Sequence, residues 1–275
     1  MTNDILSQIT ARKREEIARQ KSARPIALLR DQAKTVSRPC LSMKRALERS
    51  STGIIAEFKR RSPSKGWISQ KADAAQIPSA YEQAGAAALS ILTDSEFFGG
   101  SMGDLQTART VTSLPLLCKE FIIDEYQLLQ ARLAGADAVL LIAACLSKET
   151  CAVLADLAHR LGLEVLLELH APQELTYVEC QADMVGINNR HLGSFHTDAG
   201  TSFRMAEALR QSVSQLPGYA PVLVSESGLS DTATVRKLRE VGFRGFLIGE
   251  TFMRTEHPAR TLQTFVTELN HTPRL

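Results

Sequence analysis

A chain of 275 residues, 44% hydrophobic and 23% charged with a formal net charge of +2, has the composition of an ordinary soluble globular protein and the length for one barrel-sized domain or two smaller ones. No run of eighteen apolar residues occurs, which excludes a long apolar membrane-spanning helix, and the opening M-T-N-D carries no apolar signal segment. Five dispersed cysteines, Cys40, Cys118, Cys145, Cys151 and Cys180, form no CxxC pair, so reduced structural thiols and a cytoplasmic setting are expected.

The first 50 residues hold twelve Lys or Arg against five Asp or Glu. Their positive charges are broken by Glu15, Glu16, Asp31 and Glu48 and interleaved with apolar residues, which reads as helical packing rather than a nucleic-acid-binding arm. Ile5, Leu6, Ile9, Lys13 and Ile17 recur at helical spacing and predict an amphipathic helix over 3–21. Pro25 and Pro39 bracket a second helix around 26–33, and 42–48 forms a third, short one. None of these can bury an apolar stripe alone, so residues 1–50 are expected to pack as an extension on a domain spanning 51–275.

From Ile54 the pattern changes to short apolar runs alternating with helical segments. Strands are predicted near 54–58, 87–92, 115–118, 138–143, 164–169, 183–187, 221–225 and 245–248. Helices follow near 79–85, 101–110, 124–134, 149–161, 172–180, 201–210, 230–240 and 258–269. The strands are continuously apolar, as parallel strands covered by helices must be. Gly85, Gly135, Gly162 and Gly242 each follow a helical stretch, where a left-handed cap ends a helix. Eight strand–helix units fit a closed (β/α)8 barrel better than an open sheet, and no GxGxxG follows the first strand to favour a dinucleotide fold.

In such a barrel, chemistry belongs at the C-terminal ends of the strands. Polar residues gather there: Glu57 and Lys59, Thr93 and Asp94, Lys119 and Glu120, Glu168, then Asn188, Asn189 and Arg190, and Glu226. Any one of them reads equally as a solvated rim charge, but Lys119 and Glu168 end runs so apolar that each needs a partner. The stretches V-S-E-S-G-L around Ser227 and Gly228, and F-L-I-G-E around Gly249, leave the last two strands with glycines that open the backbone to a phosphate. Each glycine taken singly is also an ordinary turn residue. The six histidines form no HExxH or other closely spaced ligand group, so no metal site is expected. Aromatic residues, 5% of the chain, are not interleaved with Lys and Arg as a nucleic-acid platform requires.

Six blocks carry a family likeness: I-A-E-F-K-R-R-S-P-S-K-G at 55–66, L-T-D-S-E-F-F-G-G at 92–100, P-L-L-C-K-E-F-I-I-D-E-Y-Q at 115–127, G-I-N-N-R-H-L at 186–192, V-S-E-S-G-L at 224–229 and F-L-I-G-E-T-F-M-R at 246–254. In this order they resemble the indole-3-glycerol-phosphate synthase family of tryptophan biosynthesis, a phosphate-binding TIM barrel with an N-terminal helical extension. The resemblance implies ring closure of 1-(2-carboxyphenylamino)-1-deoxyribulose 5-phosphate with loss of carbon dioxide and water. It implies Lys119 as general acid, Glu168 in the proton transfers of dehydration, Glu57 orienting lysines and substrate hydroxyls, and Lys59 at the phosphate or carboxylate and in the later acid step. By the same likeness, Asn188 and Arg190 bind substrate with Glu226 holding Arg190 or a ribulose hydroxyl. Ser62 and Pro63 belong to a loop that closes over the carboxylate, and Phe97, Phe121 and Leu140 form apolar walls. Ser227, Gly228, Gly249 and Glu250, the last through its backbone, cradle the phosphate.

No redox, pyridoxal or metal cofactor is implied, because decarboxylation is driven by restored aromaticity. The partner implied is a small anionic sugar phosphate, with no nucleic acid and no membrane, for a monomer or weak homo-oligomer. Two departures from the family pattern stand out. Ala199 and Gly200 follow Asp198 after Phe195, and Trp67 occupies the closing loop, where it is expected to shape closure. The competing readings are a phosphoribosyl isomerase-type barrel, a non-catalytic sugar-phosphate-binding barrel, and an RNA-binding protein using the basic first 50 residues.

Overall fold

The computed structural model describes residues 5–191 and 196–271. Eight parallel strands close into a barrel in chain order: β1 (Ile54–Phe58), β2 (Ala88–Leu92), β3 (Leu116–Lys119), β4 (Ala138–Ile142), β5 (Glu164–Leu169), β6 (Met184–Asn188), β7 (Val222–Glu226) and β8 (Gly245–Ile248). β8 pairs back onto β1, Phe246 beside Ile54, so no sheet edge is left open. The helices between strands are α4 (Gln76–Gln83), α5 (Met102–Val111), α6 (Glu125–Ala134), α7 (Lys148–Arg160), a 3-10 helix (Pro172–Cys180), α8 (Gly200–Ser214) and α9 (Thr232–Glu240). The short α10 (Glu250–Met253) and α11 (Pro258–Asn270) follow β8.

Local chemistry sets these boundaries. Ser101, Asp124, Ser147 and Asp231 each accept a backbone N–H of the first turn at the starts of α5, α6, α7 and α9. Gly135, at φ 92°, ends α6 in the left-handed conformation that its spacing predicts. Residues 172–180, expected as a helix, wind as a 3-10 helix, which spans more length per residue and suits a nine-residue crossover with Pro172 at its start. The loop after β1 also folds into a small hairpin, Arg61–Ser62 against Gly66–Trp67, that strand periodicity is too short to reveal.

Alternation of side chains along each strand creates two apolar layers. Ile54, Ala56 and Phe58 of β1 face the helices together with Leu89, Val139, Leu167 and Ile187. Ile55 faces the lumen with Leu117, Leu140, Leu166, Met184, Val224 and Leu247. The same two-residue period places Glu57, Lys119, Glu168, Asn188 and Glu226 on the lumen side, one step nearer the C-terminal end than their apolar neighbours. This parity makes one end of the lumen ionic and the rest oily.

Three helices precede β1: α1 (Ile5–Ala23), α2 (Ile26–Lys34) and α3 (Met43–Arg49). Ile5, Leu6 and Ile9 of α1 reach the C-terminal mouth, and Ile17 joins Leu29 of α2 against Tyr126 and Leu129 of α6. Met43 and Leu47 of α3 plug the lumen from the opposite end. The linker between α2 and α3 is pinned by Arg38, whose guanidinium donates to Asp137 Oδ1 at 2.8 Å and to the carbonyls of Gly135 and Ala136. The extension therefore straps the barrel from mouth to base.

Candidate active site

A cavity of about 690 Å3 opens at the C-terminal end of the lumen. Every strand end described above contributes to its wall or to the groups behind it. Glu57, Lys59, Ser62, Pro63, Lys119, Phe121, Leu140, Glu168, Asn188, Arg190, Glu226, Ser227, Gly228, Gly249 and Glu250 line this one space. Of the residues to which the family likeness gives a substrate-binding or catalytic role, Phe97 alone is not in the lining, and the strand-end residues Thr93, Asp94 and Asn189 are outside it as well. Phe98, the neighbour of Phe97, does line it, with its ring 5.9 Å from that of Phe121. Asp94 accepts both the Phe97 and the Phe98 N–H, making a tight turn in which consecutive side chains diverge and the second faces the cavity.

At the centre, Lys119 Nζ lies 2.8 Å from Glu168 Oε2 and 2.7 Å from Glu226 Oε2. Burial disfavours the ammonium, but Glu168, Glu226 and Glu57 outweigh it and raise the lysine above its ordinary value. Burial likewise opposes a charge on Glu168, and Lys119 and His170 overcome it, so this carboxyl is held well below the usual range. His170 Nε2 stands 3.2 Å from Glu168 Oε1, off the line of a good hydrogen bond, and its own value is raised because the carboxylate's attraction exceeds the cost of burial. Glu226 behaves oppositely to Glu168. Burial first, and then the like charge of Glu168 against the pull of Lys119, push it up to about 7. One lysine between an acid that stays ionised and an acid that titrates near neutrality is an arrangement for moving protons.

Space for these carboxylates depends on two glycines. A Cβ at Gly186 would sit 2.1 Å from Glu226 Oε1, and one at Gly249 would sit 2.3 Å from Glu57 Oε1. Neither position admits a side chain while the carboxylates stand there. Lys59 Nζ is 2.6 Å from Glu57 Oε1, forming a second ion pair beside the first.

Arg190 departs from expectation. It does not pair with Glu226, which lies inside the lumen with Lys119. Two residues past the end of β6, Arg190 is at the rim, where Nη1 donates to Ser64 Oγ at 2.8 Å and Nη2 lies 3.5 Å from Glu250 Oε2. Lys65 approaches the other oxygen of Glu250 at 4.0 Å. The carboxylate of Glu250 thus faces cations of the rim. Ser64 ties the loop after β1 to the loop after β6 across the cavity mouth.

Ser227 and Gly228 both have positive φ, 67° and 72°. For serine this is a strained conformation, and Asn189 holds it by donating from Nδ2 to the Ser227 carbonyl and to Ser225 Oγ, each at 3.0 Å. Asn189 Oδ1 in turn accepts from the N–H and hydroxyl of Ser202, the latter at 2.8 Å. Thr251 donates to the Leu229 carbonyl at 2.8 Å, joining the loops after β7 and β8. Phe195 lies outside the described residues. Trp67 is 51% exposed, with the Arg61 guanidinium 5.7 Å from its ring, and is not in the cavity lining.

Sequence reading placed no individual residue of α1 in the site. Ile5, Leu6 and Ile9 line the cavity, although their helical stripe reads in the sequence as generic packing. Among the described residues no group of three or more His, Cys, Asp or Glu is arranged to hold a metal ion.

Solved structures with the same barrel include thiamine phosphate pyrophosphorylase from Pyrococcus furiosus, at 16% identity and TM-score 0.56, covering 82% of this chain and 100% of that one. A chain of the Pyrococcus furiosus tryptophan synthase α2β2 complex matches at 12% identity and TM-score 0.57, over 80% and 98% of the two chains. At such identities these likenesses speak for the fold alone. Closer relatives carry more. An indole-3-glycerol phosphate synthase of Bacteroides thetaiotaomicron is 58% identical over 263 residues, 96% of this chain and 98% of that protein. One from Azoarcus sp. strain BH72 is 40% identical over 265 residues, 95% and 98% of the two. The family model for indole-3-glycerol phosphate synthase matches residues 6–265. With an ionic mouth on a closed barrel and matches of this extent, the chain belongs to the indole-3-glycerol phosphate synthase family.

Proposed function

We propose that Lys119 is the general acid of the family's reaction, the decarboxylative and dehydrating ring closure of 1-(2-carboxyphenylamino)-1-deoxyribulose 5-phosphate to indole-3-glycerol phosphate in tryptophan biosynthesis. The observation that carries this role is its clamping between Glu168 and Glu226 on the cavity wall, which keeps the ammonium charged in a largely buried site. The ring carbon bearing the carboxylate attacks the ribulose carbonyl, and the carbonyl oxygen takes its proton from Lys119 as the C–C bond forms. Loss of carbon dioxide returns the bonding electrons to the ring and restores aromaticity. Departure of the resulting hydroxyl as water needs a proton in and a proton out. Lys59, paired with Glu57, supplies the first, and Glu168, held ionised, takes the second.

Asn188 and Arg190 hold the carboxylate and hydroxyls, and Ser62 and Pro63 close over them. Phe98 and Phe121, with Leu140, wall the aromatic ring. The phosphate rests on the backbone of Ser227, Gly228, Gly249 and Glu250, within reach of Lys59. Residues 1–50 act as a layer of the barrel domain at 51–275. None of the described helices is long and apolar enough to cross a membrane. We assign the protein to the cytoplasm, as a monomer or weak homo-oligomer.

Following indole fluorescence from the carboxyphenylamino substrate tests the assignment. Wild type turns over, while Lys119→Met and Glu168→Gln lose about 10²–10⁴-fold in kcat and still bind a substrate analogue. Near-normal turnover by folded Lys119→Met would remove the lysine from the acid role.

A further inference from the structure

Outside the reacting centre, the most completely buried cation at the mouth belongs to the extension. Lys13 of α1 is 3% exposed, and its Nζ lies 2.9 Å from Asp94 Oδ2, 3.1 Å from Glu120 Oε1 and 2.9 Å from Glu16 Oε2. The two barrel carboxylates also organise the loops that bear the aromatic walls. Asp94 Oδ1 accepts the Phe97 and Phe98 N–H at 2.7 and 3.2 Å. Glu120 Oε1 accepts the Phe121 N–H at 2.8 Å, and Oε2 accepts from Thr93 Oγ1 at 3.1 Å. Glu120 is also the residue after Lys119 and itself lines the cavity.

On α1, Ile9 precedes Lys13 by four residues, and Leu6 and Ile5 by seven and eight, which puts them on the same helix face. These three side chains line the same cavity as Phe98 and Phe121. One ammonium thus joins an aliphatic ridge from the extension to two aromatic walls from the barrel. It also neutralises two buried acids at the end of the site where the roles above place the substrate's carboxyphenyl group.

We infer that Lys13 is a positioning residue for ring closure: by neutralising the Asp94–Glu120 pair it holds the Phe98, Phe121 and Ile5–Ile9 walls against the carboxyphenyl end of the substrate and removes charge that would repel its carboxylate. The inference rests on the ring-closure reading of the site. The charged and titratable groups facing the pair are Lys13 and Glu16 from α1, and Cys118 on β3, with Asp94 just after β2 and Glu120 just after β3 themselves making the pair. Burial raises the Glu120 carboxyl, with Lys13 pulling it back and Asp94 adding to the rise. Without Lys13, Glu120 would take up a proton more readily as pH falls, and the repulsion would fade with it.

The test compares steady-state kinetics of wild type and Lys13→Met across pH, with inhibition by glycerol 3-phosphate, which has neither ring nor carboxylate, as a probe of the phosphate end. Wild-type turnover tests the underlying reading separately. For folded Lys13→Met the expected result is a KM raised about tenfold at alkaline pH with kcat lowered far less, a defect that shrinks toward acid pH, and unchanged glycerol 3-phosphate inhibition. Lys13→Met combined with Glu120→Gln should recover most of the KM, since one acid charge leaves with the cation. A KM and pH profile equal to wild type, or an equal loss of glycerol 3-phosphate binding, overturns the inference. If Lys13→Met alone does not fold, the double variant carries the test, and a raised KM without pH dependence in it overturns the inference as well.

Discussion

The barrel buries carboxylates against cations at both ends, but only one end is fully paired. At the base, Asp137 is fully buried, and each oxygen has two donors. Oδ1 takes Arg38 and the Leu41 N–H at 2.8 Å each, and Oδ2 takes Arg109 and the Leu116 N–H at 2.9 Å each. At the mouth, Glu226 Oε2 meets Lys119, while its buried Oε1 has no hydrogen-bond partner among the described residues, and the same holds for Ser62 Oγ. A carboxylate with every lone pair answered fixes the chain around it. One that is half-answered and forced toward neutrality by burial and a like charge keeps its protons exchangeable. The difference separates the cluster that holds the fold from the cluster that does chemistry.

Breaking the complete cluster should show the largest effect on stability. Asp137→Ala leaves Arg38 and Arg109 facing each other around the unpaired backbone N–H groups of Leu41 and Leu116, and denaturant unfolding should register a loss of roughly 3–5 kcal/mol. The kcat of the protein that remains folded should change by less than about twofold, because base and mouth share no partner. A large kcat loss at unchanged stability would erase the distinction between the two ends.

Glu226→Gln sharpens the contrast from the other side. Glu226 titrates near 7 when folded and near 4.5 when unfolded, so between these values the folded state holds a proton that the unfolded chain has released. Stability therefore falls as pH rises through that window, at no more than about 1.4 kcal/mol per pH unit. The depressed Glu168 acts with the opposite sign at lower pH, its contribution being present above the ordinary carboxyl value and lost as pH falls through its folded one. Substitution of Glu226 by Gln should narrow the Tm difference between mildly acidic and mildly alkaline buffer, while kcat/KM drops roughly 10–100-fold through loss of one charged partner of Lys119. An unchanged Tm slope would mean that Glu226 is ionised throughout.

Trp67→Val offers the smallest expected change. The ring packs against Arg61 and stands close to Gly99, in the exposed hairpin of the loop after β1. A cation–π contact at such a site is worth about 0.5–1 kcal/mol, so KM should rise only about two- to fivefold. Rate and affinity equal to wild type would leave Trp67 without a part in closure.

Much of this was legible in the residues because the physics behind it is local. The alternation of apolar runs and helical stripes marks all eight strands, and two-residue parity carries Glu57, Lys119, Glu168 and Glu226 to one end of one lumen. What stayed hidden depends on contacts far apart in the chain or on the exact geometry of a turn. Nothing near Lys13 announces Asp94 or Glu120, and its place in an apolar stripe reads simply as packing. Phe97 and Phe98 are indistinguishable in sequence, and only the turn made by Asp94 decides which of them faces the cavity. Arg190 likewise finds Ser64 and Glu250 through loop geometry that no local spacing encodes.

The strap from mouth to base has a consequence for the order in which the protein is made. The ionic partners of the extension described above are Asp94, Glu120 and Asp137, and Ser42 at the start of α3 adds Glu164 at 2.5 Å. All of them precede β6. A ribosome that has delivered the chain only as far as β5 has already released every one of these anchors, so the basic helices have somewhere to dock while the last three strands are still unmade. Lys44 is an exception, since its ammonium donates to the carbonyl of Ala220, just ahead of β7. The half-barrel made first is therefore the half that holds the strap, and the second half closes against a surface already covered.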